Sequence, residues 1–180
     1  MSEGQQLSNL EKQARTAFTS GRFEQAAELY LEAAEKYRLS QDVLMAAEMS
    51  NNASVAFLKQ NQAESAYQAA LGTPEIFAQA QDVRREGLAQ GNLAAALEGL
   101  GRLDEALEAY ERSAELLKSA GDLDTRLYVM QALSALQLRT GKQFQAVATM
   151  QAGLEGVSRP SPKQRLLKKL LELPTKLLNR

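Results

Sequence analysis

The sequence contains no cysteine, no histidine and no tryptophan. Those absences exclude disulfides, Cys/His zinc sites, a thiol nucleophile and any mechanism that needs an imidazole base. β-Branched residues are scarce as well, with six Val and one Ile against 29 Ala and 29 Leu. Strands favour β-branched side chains and helices favour Ala and Leu, so this balance predicts an all-α protein. Long hydrophobic runs are also missing. The longest uncharged helical piece, Leu127 to Leu138, contains Gln131, Ser134 and Gln137 and falls short of the ~18 apolar residues of a spanning helix. The opening MSEGQQLSNLEKQ is polar and lacks the apolar core of a secretory signal, so cytoplasmic residence is expected. A formal net charge of −1 gives no global pull toward nucleic acid, and no nucleic-acid partner is expected.

What the sequence does contain is a repeat. Compared at i, i+40, i+80 and i+120 without gaps, Ala26, Ala66, Ala106 and Ala146 form one column. Gly21, Asn61, Gly101 and Gly141 form another, and Asp42, Asp82 and Asp122 a third, followed by Val43, Val83 and Leu123. Tyr30, Ala70, Tyr110 and Met150 share a position, as do Tyr37, Phe77, Leu117 and Val157, while Ala14, Ser54, Ala94 and Ser134 are all small. A fixed period in this range marks stacked repeats. Gly or Asn suits the left-handed residue where one helix ends, and Asp suits the N-cap of the next. Small residues mark places where helices approach closely. Each unit is therefore predicted to be two antiparallel helices, at 7–39, 42–80, 82–120 and 122–158, within a single domain over 1–180. No unit buries its own apolar face alone, so stability comes from stacking.

These columns resemble the tetratricopeptide repeat. GRLDEALEAYERSAELL (Gly101 to Leu117) and GRFEQAAELYLEAAEKY (Gly21 to Tyr37) carry the family's Gly, apolar residue, Ala, aromatic and further small residue at the expected offsets. The second unit keeps Asn61, Ala63 and Ala66 but has Ala70 and Thr73 in place of the aromatic and the small residue. The fourth keeps Gly141, Ala146 and Gly153. The forty-residue period resembles the longer-helix variant of kinesin light chain and related adaptors. The resemblance spans about residues 7–158 and implies a right-handed superhelical solenoid of antiparallel helix pairs. It also implies a non-catalytic adaptor that binds a protein or peptide in a concave groove.

Two local departures stand out. Pro74 falls inside the second helix of unit two, predicting a kink or a helix restarted with Thr73 as its cap. Gly87, Gly91 and Gly99 lie within one helix, where close packing and space for a ligand are both open readings. Residues 163–180, KQRLLKKLLELPTKLLNR, carry +5 and leave −6 on residues 1–162. Leu166, Leu167, Leu170, Leu171, Leu173, Leu177 and Leu178 make an apolar stripe at helical spacing, and Ser161 or Pro162 suits the helix start. A capping helix over about 161–178, covering the end of the last repeat, is the expected role. A basic amphipathic helix on an anionic membrane or in a partner's groove is the alternative.

Little points to chemistry. Asp104, Glu105, Glu108 and Glu111 read as a solvated face, no GxxxxGK[ST] loop is present, and no spacing recommends a set of metal ligands. No catalytic residue, cofactor or metal is expected. By the family's pattern, the first helices of the units line the groove and would present Arg15, Glu48, Asn51, Asn52, Val55, Lys59, Asn92, Ala95, Tyr128, Gln131 and Arg139 to a peptide. Asn52 and Asn92 lie one period apart, and an amide both donates to and accepts from an extended backbone. Tyr128 is the expected aromatic anchor. The family's carboxylate clamp for chaperone C-terminal tails uses two Lys, an Arg and two Asn. The corresponding positions here hold Glu11, Leu88 and Asn92 for the basic residues and Arg15 and Asn52 for the Asn pair. Only Asn52 matches, so binding of such tails by that clamp is not expected. A self-associating scaffold is a further alternative, as a homo-oligomer through the groove or the basic segment.

Overall fold

The computed structural model describes residues 3–157, 160–167 and 169, and every regular element among them is a helix. In order these are α1 (Glu3–Thr19), α2 (Phe23–Leu39), α3 (Val43–Lys59), α4 (Ala63–Ala70), α5 (Thr73–Gln79), α6 (Val83–Gly99), α7 (Leu103–Ser119), α8 (Leu123–Arg139) and α9 (Gln143–Gly153). The forty-residue period contains a shorter one. Gly21, Gln41, Asn61, Gln81, Gly101, Gly121 and Gly141 all take positive φ, between 57° and 78°, at a spacing of twenty residues. At each, the amide of the next residue donates back across the turn, as in Arg22 N to Ala17 O (2.9 Å), Asp82 N to Phe77 O (3.0 Å) and Lys142 N to Gln137 O (2.8 Å). This is the Schellman closure, which satisfies the last carbonyls of a helix. The Asp column caps the helices that follow: Asp42, Asp82 and Asp122 accept from the amides of Met45, Arg85 and Thr125.

The units pack as antiparallel hairpins with side chains crossing them. Tyr110 Oη donates to Glu98 (2.8 Å), Ser113 Oγ to Gly87 O (2.6 Å) and Ser134 Oγ to Ala146 O (2.8 Å). Ala14, Ala26, Ala33, Ala53, Ala66, Ala94 and Ala106 are fully buried, so the helices approach closely and many small contacts replace a few large ones. One core cluster joins α1, α2 and α3, and a second joins α6, α7 and α8. Ala47, Phe77 and Ala89, with Ile76, form a third cluster of α3, α5 and α6.

Unit two departs from the pattern where Pro74 stands. The helix stops at Ala70 and restarts at Thr73, and Gly72 (φ 78°) is the residue before the new helix, not Thr73 as expected. Pro74 has no N–H for the carbonyl of Ala70, and the hydroxyl of Thr73 supplies that donor instead (2.8 Å). The three α6 glycines are packing residues. A Cβ on Gly87 would meet Leu117 at 3.0 Å, one on Gly91 the Ser113 hydroxyl at 3.0 Å, and one on Gly99 the Cβ of Ala63 at 2.8 Å. Helix α9 ends at Gly153, short of the expected 158, and Gly156 takes φ 78° just beyond it. Residues 162–167 are helical, and Ser161 starts them with a reciprocal box: its amide donates to Gln164 Oε1 (2.7 Å) and its hydroxyl accepts from Gln164 N (3.3 Å). The rest of the leucine stripe, Leu170 onward, lies outside the described residues.

Candidate functional site

The first helices of the units are α1, α3, α6 and α8, and a repeated spacing of about one period ties the last three side by side. Arg85 Nη1 donates to Glu48 Oε2 (3.2 Å), Asn92 Nδ2 to Asn51 Oδ1 (3.1 Å) and Arg139 Nη2 to Glu98 Oε1 (2.5 Å). Each bond joins a residue of one first helix to the next, so the expected groove residues do adjoin one another. Glu98 also accepts from the Tyr110 hydroxyl (2.8 Å), and burial followed by that bond pushes the Tyr110 phenol pKa up. Burial, then the bond it donates to Glu11, pushes the Tyr37 phenol up to about 12.

These pairings sort the expected residues into two groups. Glu48, Asn51, Asn92 and Arg139 have partners within the protein, and Asn51 is buried at 8% exposure. Asn52, Val55, Ala95 and Gln131 are half-buried, while Arg15, Lys59 and Tyr128 are exposed, Tyr128 to 72%. Among the described residues, Asn52, Gln131, Arg15 and Lys59 have no side-chain hydrogen bond or ion pair. The pairing of Asn92 with Asn51 changes the picture of an Asn row: one amide of the pair separated by a full period is engaged, and Asn52 is the open one. Sequence columns align Asn92 with Asn52, and only the packing of α3 against α6 reveals that Asn92 meets Asn51. With Glu48 and Glu98 neutralised by Arg85 and Arg139, the unpaired charges of the expected set are the cations Arg15 and Lys59. Among the described residues, no group of three or more Asp and Glu is arranged to hold a metal ion. No helix among them is long and apolar enough to cross a membrane.

A second concavity lies on the opposite side of α3 from Asn52 and was not read from the sequence. It has a volume of ≈ 550 Å³ and is bounded by α2, α3, α4 and α5, with Leu31, Val43, Phe57, Leu71 and Ile76 in its walls. The signal for it was present in the columns. Positions 31, 71, 111 and 151 read Leu, Leu, Glu and Gln, apolar in the first two units only.

No protein-family model matches this sequence, and no curated protein matches it significantly. Solved structures do match in shape. A Podosopora anserina protein of nearly identical TPR-like repeats, provisionally assigned to the kinesin light chains, superimposes with a TM-score of 0.75 at 15% identity. That match covers 98% of this chain and 90% of the other, and a point variant of the same protein gives the same values. MamA of AMB-1 matches at a TM-score of 0.41 and 18% identity over 91% of this chain and 98% of its own, too loosely to argue from. Fold and repeat therefore agree: this chain is a solenoid of TPR-like helix pairs.

Proposed function

We propose that the protein is a non-catalytic interaction module whose first-helix face, from α1 to α8, binds a segment of a partner protein. The observation that carries the reading is a set of side chains left open on that face, Asn52, Gln131 and the 72%-exposed Tyr128, beside neighbours already paired. An exposed tyrosine supplies a large contact area at little entropic cost, and unpaired amides hold backbone groups of a bound segment. Arg15 and Lys59 favour a segment that also carries a carboxylate.

The test is capture from native lysate on immobilised wild type beside full-length Asn52→Ala/Tyr128→Ala, read by mass spectrometry. A partner held by wild type and lost by an equally helical double variant is the expected outcome. Partners that bind both equally would move recognition to another surface and end this proposal.

A further inference from the structure

We propose that the concavity between α2, α3, α4 and α5 receives the leucine-rich basic segment 163–178 of a second copy of this chain. The argument begins at the floor of the hollow. Positions 46, 86 and 126 are equivalent in successive units and hold Ala, Glu and Arg, all buried. In unit three, Glu86 reaches out to Arg112 on α7 (3.0 Å), and in unit four Arg126 donates to the carbonyl of Ala152 on α9 (2.9 Å). A long charged side chain thus spans the space between first and second helix in both units. Ala46 spans nothing, and Gly72 stands where Arg112 does one period later. The equivalent hollow of unit three is ≈ 320 Å³ and lined by Pro74, Glu75, Ala78, Glu86, Gln90 and Arg112, whereas that of unit two is larger and more apolar, with Arg38, Glu64 and Gln68 among its polar lining. Its volume falls in the roughly 300–1,000 Å³ range of ligand-sized sites.

Its walls are unfinished. Leu31, Val43 and Leu71 are 41%, 54% and 53% exposed, an apolar rim of the kind that marks a contact surface. The helices around it carry most of the protein's acidic excess: residues 23–79 contain eight carboxylates against Lys36, Arg38 and Lys59, a net −5. Segment 163–180 carries +5 and a leucine stripe, so both apolar pattern and charge are complementary. The last unit offers no such match in charge, since residues 122–157 hold three acidic and three basic side chains. Leu166, the first leucine of the stripe, is 60% exposed and so is not covered by its own stack. Units three and four separate that segment from the hollow of its own chain, which favours a second copy. Groove and segment are different surfaces, so the contact is head-to-tail and propagates unless it closes.

Light scattering and sedimentation of full-length protein over a range of concentrations test this. Two variants are used, Leu31→Glu/Leu71→Glu in the groove and Leu166→Ser/Leu170→Ser/Leu173→Ser in the segment. Glu occupies the column of Leu31 and Leu71 in unit three, and both leucines are exposed, so helicity is expected to be unchanged. Wild type is expected to gain mass with concentration, less so at high salt, and each variant to need a concentration at least about tenfold higher. An equimolar mixture of the two variants retains one intact groove and one intact segment, and is expected to form a 1:1 complex. A wild type that stays monomeric throughout, association indifferent to either variant, or a mixture that does not pair would each overturn the proposal.

Discussion

Replacing Gln81 by Gly is expected to stabilise the protein, although the change removes a side chain and adds none. Gln81 takes φ 57° at a turn where the equivalent residue one period later is Gly121, at φ 73°. A left-handed conformation costs an L-residue about 1–2 kcal/mol, and the greater freedom of Gly in the unfolded chain returns about 0.4–1 kcal/mol of that gain. The side chain lost is no counterweight, because Gln81 is exposed and a Cβ at the equivalent Gly121 meets nothing within 4 Å. The net gain is about 0.5–1 kcal/mol, or roughly 1–4 °C in melting temperature for a chain of this size. Gln41→Gly, at φ 65°, is expected to add a similar amount. Asn61→Gly gains less, because Asn tolerates this region better. Urea unfolding followed by circular dichroism measures the effect. Repeat arrays do not always unfold as one unit, so exchange of the Asp82 amide, which donates across the turn to Phe77 O, gives a local reading. The reciprocal variant Gly121→Gln is expected to lose what Gln81→Gly gains. If Gln81→Gly were neutral and Gly121→Gln as stable as wild type, the argument from backbone strain would fail.

Further outcomes follow from particular contacts. Burial pushes the Asp122 carboxyl up, but hydrogen bonds from Thr125 and the charge and hydrogen bond of Arg84 together outweigh it and hold it below its ordinary range. Its folded-state pKa is lowered, so the stability it contributes is present above the unfolded value and lost as pH falls through the folded one. Asp122→Asn keeps an oxygen that can cap α8 and loses the charge that faces Arg84, so it is expected to cost about 0.5 kcal/mol at neutral pH, and the gap to wild type should close as pH drops below 3.8. Arg112→Ala strands Glu86, whose side chain is only 9% exposed, and is expected to cost about 1–3 kcal/mol, more than the double variant Glu86→Ala/Arg112→Ala, as chemical denaturation can read. Gly99→Ala places a methyl 2.8 Å from the Cβ of Ala63 and is expected to destabilise by about 1–3 kcal/mol, a loss that Ala63→Gly should relieve in a thermal melt of the pair.

Backbone-level features were readable wherever a residue's identity follows from local conformation. The Gly/Asn column marked alternate turns, the Asp column marked three N-caps, and the small column at 14, 54, 94 and 134 marked buried contacts. The intervening turns were located by the unit boundaries and the Asp column, but their left-handed residues were not, because Gln41 and Gln81 carry a strained conformation that their residue type does not announce. Side-chain pairing between units escaped for a different reason. Asn92 and Asn52 align in sequence, yet equivalent positions of stacked units point the same way and do not face each other, so Asn92 meets a residue of another column, Asn51. The α6 glycines were ambiguous because a missing side chain leaves room for a neighbouring helix and for a ligand alike, and only the distances to Leu117, Ser113 and Ala63 separate the two. The apolar hollow depended on what Ala46 lacks relative to Glu86 and Arg126. An absence of that kind becomes visible only once the units are superimposed in space.

The twenty-residue spacing of the turns also constrains how such a chain can grow. Each turn is closed by the same backbone bonds, so twenty residues of helix and turn inserted at any of them would join without a local fault. Everything downstream would then change roles, first helices becoming second ones, and an insertion at the turn of Asn61 or Gln81 would carry Asn92 and Tyr128 off the face that holds Asn52. An insertion of forty residues keeps every role in place and only lengthens the stack. The protein thus has a reading frame written in helices: duplications in steps of forty extend its message, and a step of twenty turns its binding face inside out.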